Sequence, residues 1–241
     1  MIGRVIFIGI LILFLPFPAL AESKVPILVY HSIAEYSGHG MKELFVTPEN
    51  FEKQMTYLKN HGYTLLTFEK WDKINQVKKP IFITIDDGYK NNLNAYQIFQ
   101  KLKSPAFQPA ATIFVISDYI SRSNRLSSSD VKMLSDSGLF SIQSHTSTHP
   151  DLLHTANYKE ELQESKNKIE QTTGKPVIAL SYPYGNTNQR VIAEVKKYYM
   201  YGLTTTPGPY VKLNIKDELY QLPRTYVKYS TTLEDFAHMI N

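Results

Sequence analysis

The chain has 241 residues, of which 43% are hydrophobic and 20% are charged, and it contains no cysteine. This length and apolar content suffice for one globular domain with a sizeable core. The lack of cysteine excludes disulfide bonds and catalytic thiols. A formal net charge of +4 is too small, and its charges too scattered, to predict binding to nucleic acid.

The amino-terminal segment is typical of a secretory signal peptide. Arg4 precedes an apolar run from Val5 to Leu15, and residues 19–21 (ALA) have the small-x-small pattern of a cleavage site. A membrane anchor is the alternative, but the apolar run is short for a span and prolines follow it. We expect residues 1–21 to be a cleaved signal peptide and residues 22–241 to form a secreted domain without a stable membrane span.

Short apolar runs then alternate with amphipathic stretches. The predicted strands, in chain order, are 25–30, 64–68, 81–85, 111–116, 140–143, 177–180 and 203–205. The predicted helices run from a Thr47 N-cap to Gly62, over 91–102, from a Ser129-Asp130 cap to Gly138, over 158–172 and over 189–199. The segment 117–129, which follows the predicted strand 111–116, is rich in Ser, Arg and Asn and is expected to be an exposed excursion.

This alternation predicts an α/β fold built from parallel strands. Seven or eight strands in about 200 residues favour a closed or nearly closed barrel, with a doubly wound open sheet as the competitor. In a parallel barrel the chemistry lies at the carboxyl ends of the strands. The residues that follow each predicted strand are therefore the candidates for a functional site.

The strand over 81–85 ends in Asp86-Asp87-Gly88. Two adjacent carboxylates repel each other, and each loses hydration if water is excluded. A solvated turn is the ordinary explanation of this tripeptide. Alternatively, a bend at Gly88 aims both carboxylates at the barrel mouth, where a cation makes them tolerable.

The strand over 140–143 runs into SHTSTHP, which places His145 and His149 four residues apart. Two imidazoles and a carboxylate from a neighbouring strand form a site for a divalent metal with positions left open for water. Histidines in a Ser/Thr-rich loop are the alternative. The preceding Asp-Asp-Gly at the same barrel face favours the metal.

Two further strand ends carry candidates. Tyr182 and Tyr184 in LSYPYG are placed to wall a sugar subsite and to present a backbone N–H to an oxyanion, although a proline-glycine turn with aromatic packing explains them as well. His31 follows the first strand, where a lone histidine is more often a hydrogen-bonded edge residue.

Together TIDDG, HTSTHP and SYPYG, in this order and spacing, resemble the polysaccharide deacetylases of carbohydrate esterase family 4, the NodB-homology group. The resemblance spans roughly Pro26 to Val227 and implies a single-domain, distorted (β/α)7-type barrel. It implies that Asp86 is the catalytic base and that the metal ligands are Asp87, His145 and His149. The implied cofactor is a divalent metal, zinc in the first place, with cobalt, nickel or iron as alternatives.

The sequence departs from the commonest family pattern at two places. Ser181 stands where many members have an arginine that holds the catalytic aspartate, and the late segment YQLPRTYV has no histidine. Both departures resemble the permuted subgroup related to poly-N-acetylglucosamine deacetylases, in which an early Tyr-His supplies the acid. The resemblance therefore implies that His31 is the general acid, and Arg224 is the candidate replacement for the missing arginine.

The implied function is metal-dependent removal of acetyl groups from N-acetylated amino-sugar polysaccharide. An O-acetyl xylan-type esterase and a non-catalytic glycan-binding barrel remain alternatives. A metal-dependent phosphoesterase or nuclease would need more carboxylates and a basic groove. The expected partner is an acetylated glycan, either a polymer containing N-acetylglucosamine or a cell-wall glycan, outside the cytoplasm and in association with the cell wall.

Overall fold

A computed structural model describes residues 24–240 of the chain. The predicted signal peptide lies outside the described residues, so its cleavage and the resulting secretion stay predictions. Within 24–240, no helix combines the length and the apolar character that crossing a membrane requires.

A parallel sheet of eight strands forms the centre of the fold. Its strands are β1 (Ile27–Tyr30), β4 (Thr64–Leu66), β5 (Pro80–Ile85), β6 (Ala111–Val115), β7 (Phe140–Ser144), β8 (Ala179–Ser181), β9 (Tyr201–Leu203) and β10 (Thr225–Tyr226). Seven of them follow one another in the order β10-β1-β5-β6-β7-β8-β9, and β4 pairs with the first half of β5. A separate parallel pair joins β2 (Ser32–Ile33) to β3 (Phe45–Val46). The central strands are buried on both faces, as expected for a parallel sheet covered by helices.

The two ends of the seven-strand path meet through the residues that lead into β10. Leu203 and Leu222 form a parallel bridge, the Leu222 amide donates to Gly202 O at 2.9 Å, and the Thr204 amide donates to Leu222 O at 2.9 Å. Because β10 pairs with β1 on its other side, this segment closes the sheet. The predicted distorted (β/α)7-type barrel is confirmed.

Within residues 24–240, six α-helices pack around the sheet. They are α1 (Pro48–Asn60), α2 (Leu93–Leu102), α3 (Ser128–Asp136), α4 (Ser165–Thr173), α5 (Gln189–Val195) and α6 (Leu233–Met239). Thr47 caps α1 as predicted, accepting a hydrogen bond from the Asn50 amide at 3.1 Å. The cap predicted for α3 was wrong by two residues, because Ser127 is the N-cap and Asp130 completes a capping box from within the helix.

Other boundaries also differ from the predictions. The strands predicted at 177–180 and 203–205 are β8 and β9, which begin two residues later and two residues earlier than predicted. The helix predicted over 158–172 begins with a π-helical turn, Lys159–Glu164, before α4. Elements that the sequence did not predict are β2, β3, β10 and α6, three of which are two-residue strands too short to show periodicity.

Apolar side chains form two separate clusters. One lies between the sheet and the surrounding helices, and the other fills the barrel. Five rings, which we call the aromatic plug, pack at the amino ends of the strands: Phe68, Trp71, Phe82, Tyr201 and Tyr210. Neighbouring rings in the plug have centroids 5.0–6.0 Å apart. The plug fills the barrel at the amino ends of the strands, and the polar side chains described below lie at the carboxyl ends.

Candidate active site

Asp86 and Arg224 form a buried, bidentate ion pair at the carboxyl end of the barrel. Arg224 Nη1 donates to Asp86 Oδ1 at 2.8 Å, and Arg224 Nη2 donates to Asp86 Oδ2 at 2.8 Å. The Arg224 side chain is fully buried, and its Nε donates to Thr204 O at 2.9 Å. Arg224, the predicted replacement for the missing arginine, therefore hydrogen-bonds Asp86 directly.

Ser181 lies inside this pair and not apart from it. Its hydroxyl donates to Asp86 Oδ2 at 2.9 Å and accepts from Arg224 Nη2 at 2.8 Å. Burial by itself raises the pKa of Asp86, but the Arg224 guanidinium, helped by two nearby imidazoles, outweighs burial and holds the pKa well below its ordinary value of 3.8. Asp86 is therefore an ionised carboxylate at neutral pH.

Asp87, His145 and His149 converge beside this pair. The two Nε2 atoms are 3.1 Å apart, and Asp87 Oδ1 lies 3.6 Å from His145 Nε2 and 3.7 Å from His149 Nε2. Ligand bonds of about 2.1 Å at tetrahedral angles separate donor atoms by about 3.4 Å. One oxygen and two nitrogens at these spacings fit a single divalent cation.

The histidine chemistry agrees with that fit. His145 Nδ1 lies 2.8 Å from Ser181 O, an acceptor only, so Nδ1 carries the proton and the Nε2 lone pair is free to bind a metal. Burial, together with the adjacent His145 ring, lowers the pKa of His149 to about 4. Both imidazoles are thus suited to coordinate as neutral ligands.

The backbone at this end of the barrel is strained. Asp87, Thr146, His149 and Tyr184 have φ angles of +73°, +66°, +66° and +62°. Non-glycine residues rarely adopt this left-handed conformation, and such residues cluster at functional sites. The bend expected at Gly88 begins one residue earlier, at Asp87, and both carboxylates approach His145 Nε2, Asp86 Oδ2 at 3.9 Å and Asp87 Oδ1 at 3.6 Å.

His31 lies at the edge of the same cleft. Its ring stacks on Tyr226, with centroids 5.4 Å apart and planes inclined by 7°, and its carbonyl accepts from Asn92 Nδ2 at 2.7 Å. Burial lowers the pKa of His31, against the opposing influence of the two aspartates. His31 is 8% exposed, so its imidazole is nearly buried at the edge of the cleft.

The two tyrosines predicted to wall the site differ. Tyr184 is 63% exposed and its ring lies edge-on to His149, with centroids 4.9 Å apart. Tyr182 is 1% exposed, and its hydroxyl donates to Tyr220 O at 2.9 Å. Tyr182 is among the residues that line the cleft, but most of its ring is buried in the core, so its part in a sugar subsite stays a prediction.

Sequence reasoning missed Glu161, which supports the histidine loop from the π-helical turn. Its carboxylate accepts hydrogen bonds from the Ser147 amide at 3.0 Å, the Thr148 amide at 2.9 Å and the Thr148 hydroxyl at 2.6 Å. Glu161 is 6% exposed. A buried carboxylate that satisfies two loop amides fixes the backbone between the two histidines. Within a charged helical stretch, no sequence signal distinguished it from its solvated neighbours.

Arg125 was also missed, because the segment 117–129 was expected to be only an exposed excursion. Arg125 Nη1 donates to Asp87 O at 2.6 Å, and its guanidinium lies 4.1 Å from the centroid of the Tyr89 ring. The same segment donates backbone hydrogen bonds from Ser117 and Asp118 to the histidine loop. Residues 121–124 are exposed as predicted, but the segment also packs on the loops that carry Asp87 and the two histidines.

A cleft of about 360 Å³ lies at the barrel mouth. It contains the ion pair's carboxylate, the Asp87/His145/His149 cluster and His31, with Tyr184 and Tyr226 on its walls. A carboxylate, a cluster whose spacing fits a divalent cation and an imidazole face one cleft, and hydrolysis of an amide or ester could use groups of these three kinds.

Comparison with known proteins agrees with this hydrolytic chemistry. A profile of the polysaccharide deacetylase family matches residues 73–203, just over half of the chain. The crystal structure of a polysaccharide deacetylase from Bacillus cereus is 52% identical, with a TM-score of 0.90, and the match covers 91% of this chain and 70% of that one. A Streptococcus pyogenes deacetylase, solved in complex with acetate, is 25% identical with a TM-score of 0.81, covering 92% of this chain and all of that one. The poly-β-1,6-N-acetyl-D-glucosamine N-deacetylase of Staphylococcus aureus is 25% identical over 85% of this chain and 73% of its own length.

Proposed function

This chain belongs to the polysaccharide deacetylase family, and from that premise we propose that it hydrolyses the N-acetyl groups of N-acetylglucosamine polymers with the help of a divalent metal. The observation that carries the proposal is the convergence of Asp86–Arg224, the Asp87/His145/His149 cluster and His31 on one cleft. Amide hydrolysis needs a base for the attacking water, stabilisation of the oxyanion and an acid for the leaving nitrogen. Each requirement has a candidate here.

We assign the base to Asp86. Three donors occupy three of the roughly four acceptor positions of its carboxylate and leave one on Oδ1. Arg224 fixes the plane of the carboxylate while water adds to the acetyl carbon, and Asp86 takes the proton of that water. A base with so low a pKa needs an acidified water, and a divalent cation held by the Asp87/His145/His149 cluster would supply this by lowering the pKa of water and polarising the acetyl carbonyl.

We assign the acid to His31. When the carbon–nitrogen bond breaks, the imidazolium of His31 gives its proton to the leaving nitrogen, which yields acetate and a free amino sugar. The lowered pKa of His31 makes its protonated form a stronger donor, and stacking on Tyr226 holds the ring orientation. Tyr184, turned at φ +62°, is the candidate to donate its backbone N–H to the oxyanion.

Two observations support an N-acetylglucosamine polymer as the substrate. The Staphylococcus aureus relative carries that specificity in its name, and this chain matches most of its length. The acid assigned to His31 is a requirement of an amine leaving group, which leaves poorly without a proton. For zinc as the metal, the support is the ligand set of one carboxylate and two imidazoles. The signal-peptide pattern of residues 1–21 supports action outside the cytoplasm.

Acetate release and metal content, measured together, test the proposal. The wild-type protein is expected to release acetate from β-1,6-linked N-acetylglucosamine oligomers and to contain one equivalent of divalent metal by elemental analysis. The Asp86→Asn variant should keep the metal and lose turnover, and the His145→Ala/His149→Ala variant should lose both while remaining folded.

The outcomes separate the alternatives. Acetate released from acetylxylan alone would identify an O-acetyl esterase. Binding of the oligomers without acetate release would identify a glycan-binding barrel. Stoichiometric metal in the double histidine variant would refute the metal site, and near wild-type activity of Asp86→Asn would refute the assigned base.

A further inference from the structure

The segment that carries His31 loses its neighbouring strand at the barrel mouth. β1 ends at Tyr30, whose carbonyl accepts from the Asp86 amide at 2.9 Å, and β5 ends one residue before that aspartate. The chain then turns at Asp87, which has a φ angle of +73°. Beyond this turn β5 no longer provides hydrogen-bond partners for residues 31–33, whose backbone groups need others.

Three asparagine side chains supply those partners. Asn92 Nδ2 donates to His31 O at 2.7 Å, and Asn94 Nδ2 donates to Ile33 O at 2.8 Å. Asn91 Oδ1 accepts from the Ile33 amide at 3.2 Å. We call Asn91, Asn92 and Asn94 the asparagine clamp. A side-chain amide offers the donor and the acceptor of a peptide group, so the clamp continues the hydrogen bonding that the turn after β5 interrupts.

The clamp belongs to the same stretch of chain as the two catalytic-site carboxylates. It occupies the turn Lys90–Asn92 and the first turn of α2, directly after Asp86-Asp87-Gly88 and two further residues. Asn92 is fully buried, and the other two asparagines are half-buried. The stretch 86–94 therefore carries the assigned base and a candidate metal ligand, and it also holds the segment that bears the assigned acid.

The His31 ring depends on this backbone for its position. Within residues 24–240, no hydrogen bond reaches either ring nitrogen of His31, and the ring stacks on Tyr226. A stack fixes the plane of a ring more closely than its lateral position, because offset arrangements are all favourable. The lateral position of the imidazole therefore follows from where its own backbone is held, and Asn92 bonds the carbonyl of that same residue.

We propose that the asparagine clamp consists of positioning residues, which hold His31 at the distance from the cleft at which it can protonate the leaving nitrogen. The inference rests on the proposed function, because it takes His31 to be the general acid. Displacement of a reacting group by about 1 Å lowers a rate by about 100-fold. The clamp therefore contributes to kcat for amide cleavage, and it contributes neither to metal binding nor to hydrolysis of an ester whose leaving group needs no proton.

A matched pair of substitutions tests this. Asn92→Ala removes the hydrogen bond to the His31 carbonyl, and Asn92 does not itself line the cleft. Asn50→Ala is the control: Asn50 lies in the first turn of α1, its Nδ2 donates to Thr231 O at 3.1 Å, and neither of these two residues lines the cleft. The substrates are N-acetylglucosamine oligomers and an activated aryl acetate, and bound metal and the melting temperature are measured on each protein.

Asn92→Ala should lower kcat on the oligomers by about 10- to 100-fold, with KM, bound metal and aryl acetate hydrolysis unchanged. Asn50→Ala should leave all of these unchanged. Equal losses on the two substrates would overturn the proposal, because they would show that the clamp only satisfies backbone groups. The half-buried Asn94→Ala should give a smaller loss of the same selectivity, and it replaces Asn92→Ala if that variant does not fold.

A double variant separates positioning from structure. His31→Ala/Asn92→Ala should be no slower on the oligomers than His31→Ala, since a positioning residue acts only through the group that it positions. A further loss in the double variant would overturn the proposal, and so would an unaltered rate in His31→Ala. If the wild type releases no acetate from any sugar, the proposed function fails, and crystal structures of the wild type and Asn92→Ala judge the clamp separately: an unmoved His31 ring overturns it, and a displaced ring supports it.

Discussion

The two ends of the barrel solve different problems with the same strands. At the amino ends, the aromatic plug packs Phe68, Trp71 and their neighbours without an ionised group among them. At the carboxyl ends, a buried ion pair, two histidines and a second carboxylate share one cleft, and four residues have left-handed backbone angles. The first arrangement gains free energy from apolar burial, and the second uses some of it to hold charges and strain in place.

The contrast teaches where to look for function in a parallel barrel. Stability and chemistry are separated along the strand axis, so a residue's position on its strand predicts which property a substitution changes. The predictions below test that separation, beginning with the largest expected effect.

His31→Ala should affect chemistry alone. Loss of a general acid slows amide cleavage by about 10²- to 10⁴-fold. Hydrolysis of an aryl acetate should fall much less, because a phenolate leaves without a proton. Acetate release from both substrates, bound metal and the melting temperature are measured on the same variant. Equal losses on both substrates with a lowered melting temperature would show that His31 is a structural residue. Stability and chemistry would then not be separated at this position.

Arg224→Met should affect both stability and chemistry, because it leaves the buried Asp86 carboxylate unpaired. Breaking a buried ion pair in this way costs about 3–5 kcal/mol of unfolding free energy. Urea unfolding measures this cost, with the exposed Arg122→Met as the control. A loss no larger than the control's would mean that the pair contributes nothing to folding.

The cost of Arg224→Met should depend on pH with a definite sign. In the wild type the pKa of Asp86 lies below its ordinary value of 3.8, so its stabilising contribution is present above that pH and is lost on acidification. In the variant, burial dominates and raises the pKa of Asp86, so stability falls as pH rises. The gap in unfolding free energy between the two proteins should therefore widen from pH 4 to pH 8.

Trp71→Ala should affect stability alone. Its ring contacts Phe82 and Tyr201 in the plug, with centroids 5.3 Å away in each case. Removing a partly buried tryptophan costs about 3 kcal/mol, while kcat/KM per folded molecule should stay unchanged. Tyr184→Ala is the matched control at the other end: it keeps the backbone N–H but removes an exposed ring that walls the cleft beside His149, so it should lower activity and leave the melting temperature nearly unchanged. A drop in kcat/KM for Trp71→Ala would show that the two ends are coupled.

Glu161→Gln has the smallest expected effect. It tests whether a buried residue at the carboxyl end of the barrel serves metal binding or only stability. Gln retains the size but weakens the hydrogen bonds to the Ser147 and Thr148 amides. Support of this kind is worth roughly 10-fold or more in metal affinity, which titration calorimetry measures. Glu160→Gln, an exposed change on the same turn, should leave the affinity unaltered. If both variants bind metal as the wild type does, Glu161 is only part of the helix.

The sequence predicted those parts of the site that follow long, regular strands. Asp87, His145 and His149 come directly after β5 and β7, so the rule that strand ends meet at one barrel face was enough to group them. Asp86 was grouped with them for the same reason.

The rest depended on contacts that local sequence does not encode. Arg224 was named only through the family resemblance, because it lies just before β10, a two-residue strand without a periodic signal, and closure of the sheet brings it onto Asp86. Glu161 lies on a π-helical turn whose residues look like any charged helix. The burial of Tyr182 was not predictable either, because a tyrosine at a strand end packs inward or outward according to tertiary neighbours, here Gly202 and Tyr220.

The closure of the sheet by β10 sets the order in which the protein becomes competent. A chain made or translocated from its amino end presents His31 and Asp86 early but receives Arg224 after every other barrel strand. The segment that joins the two sheet ends also carries the guanidinium that balances Asp86. Completion of the barrel and completion of the charge network are therefore one event, and a nascent chain short of this segment has the Asp86 carboxylate without the guanidinium that pairs with it.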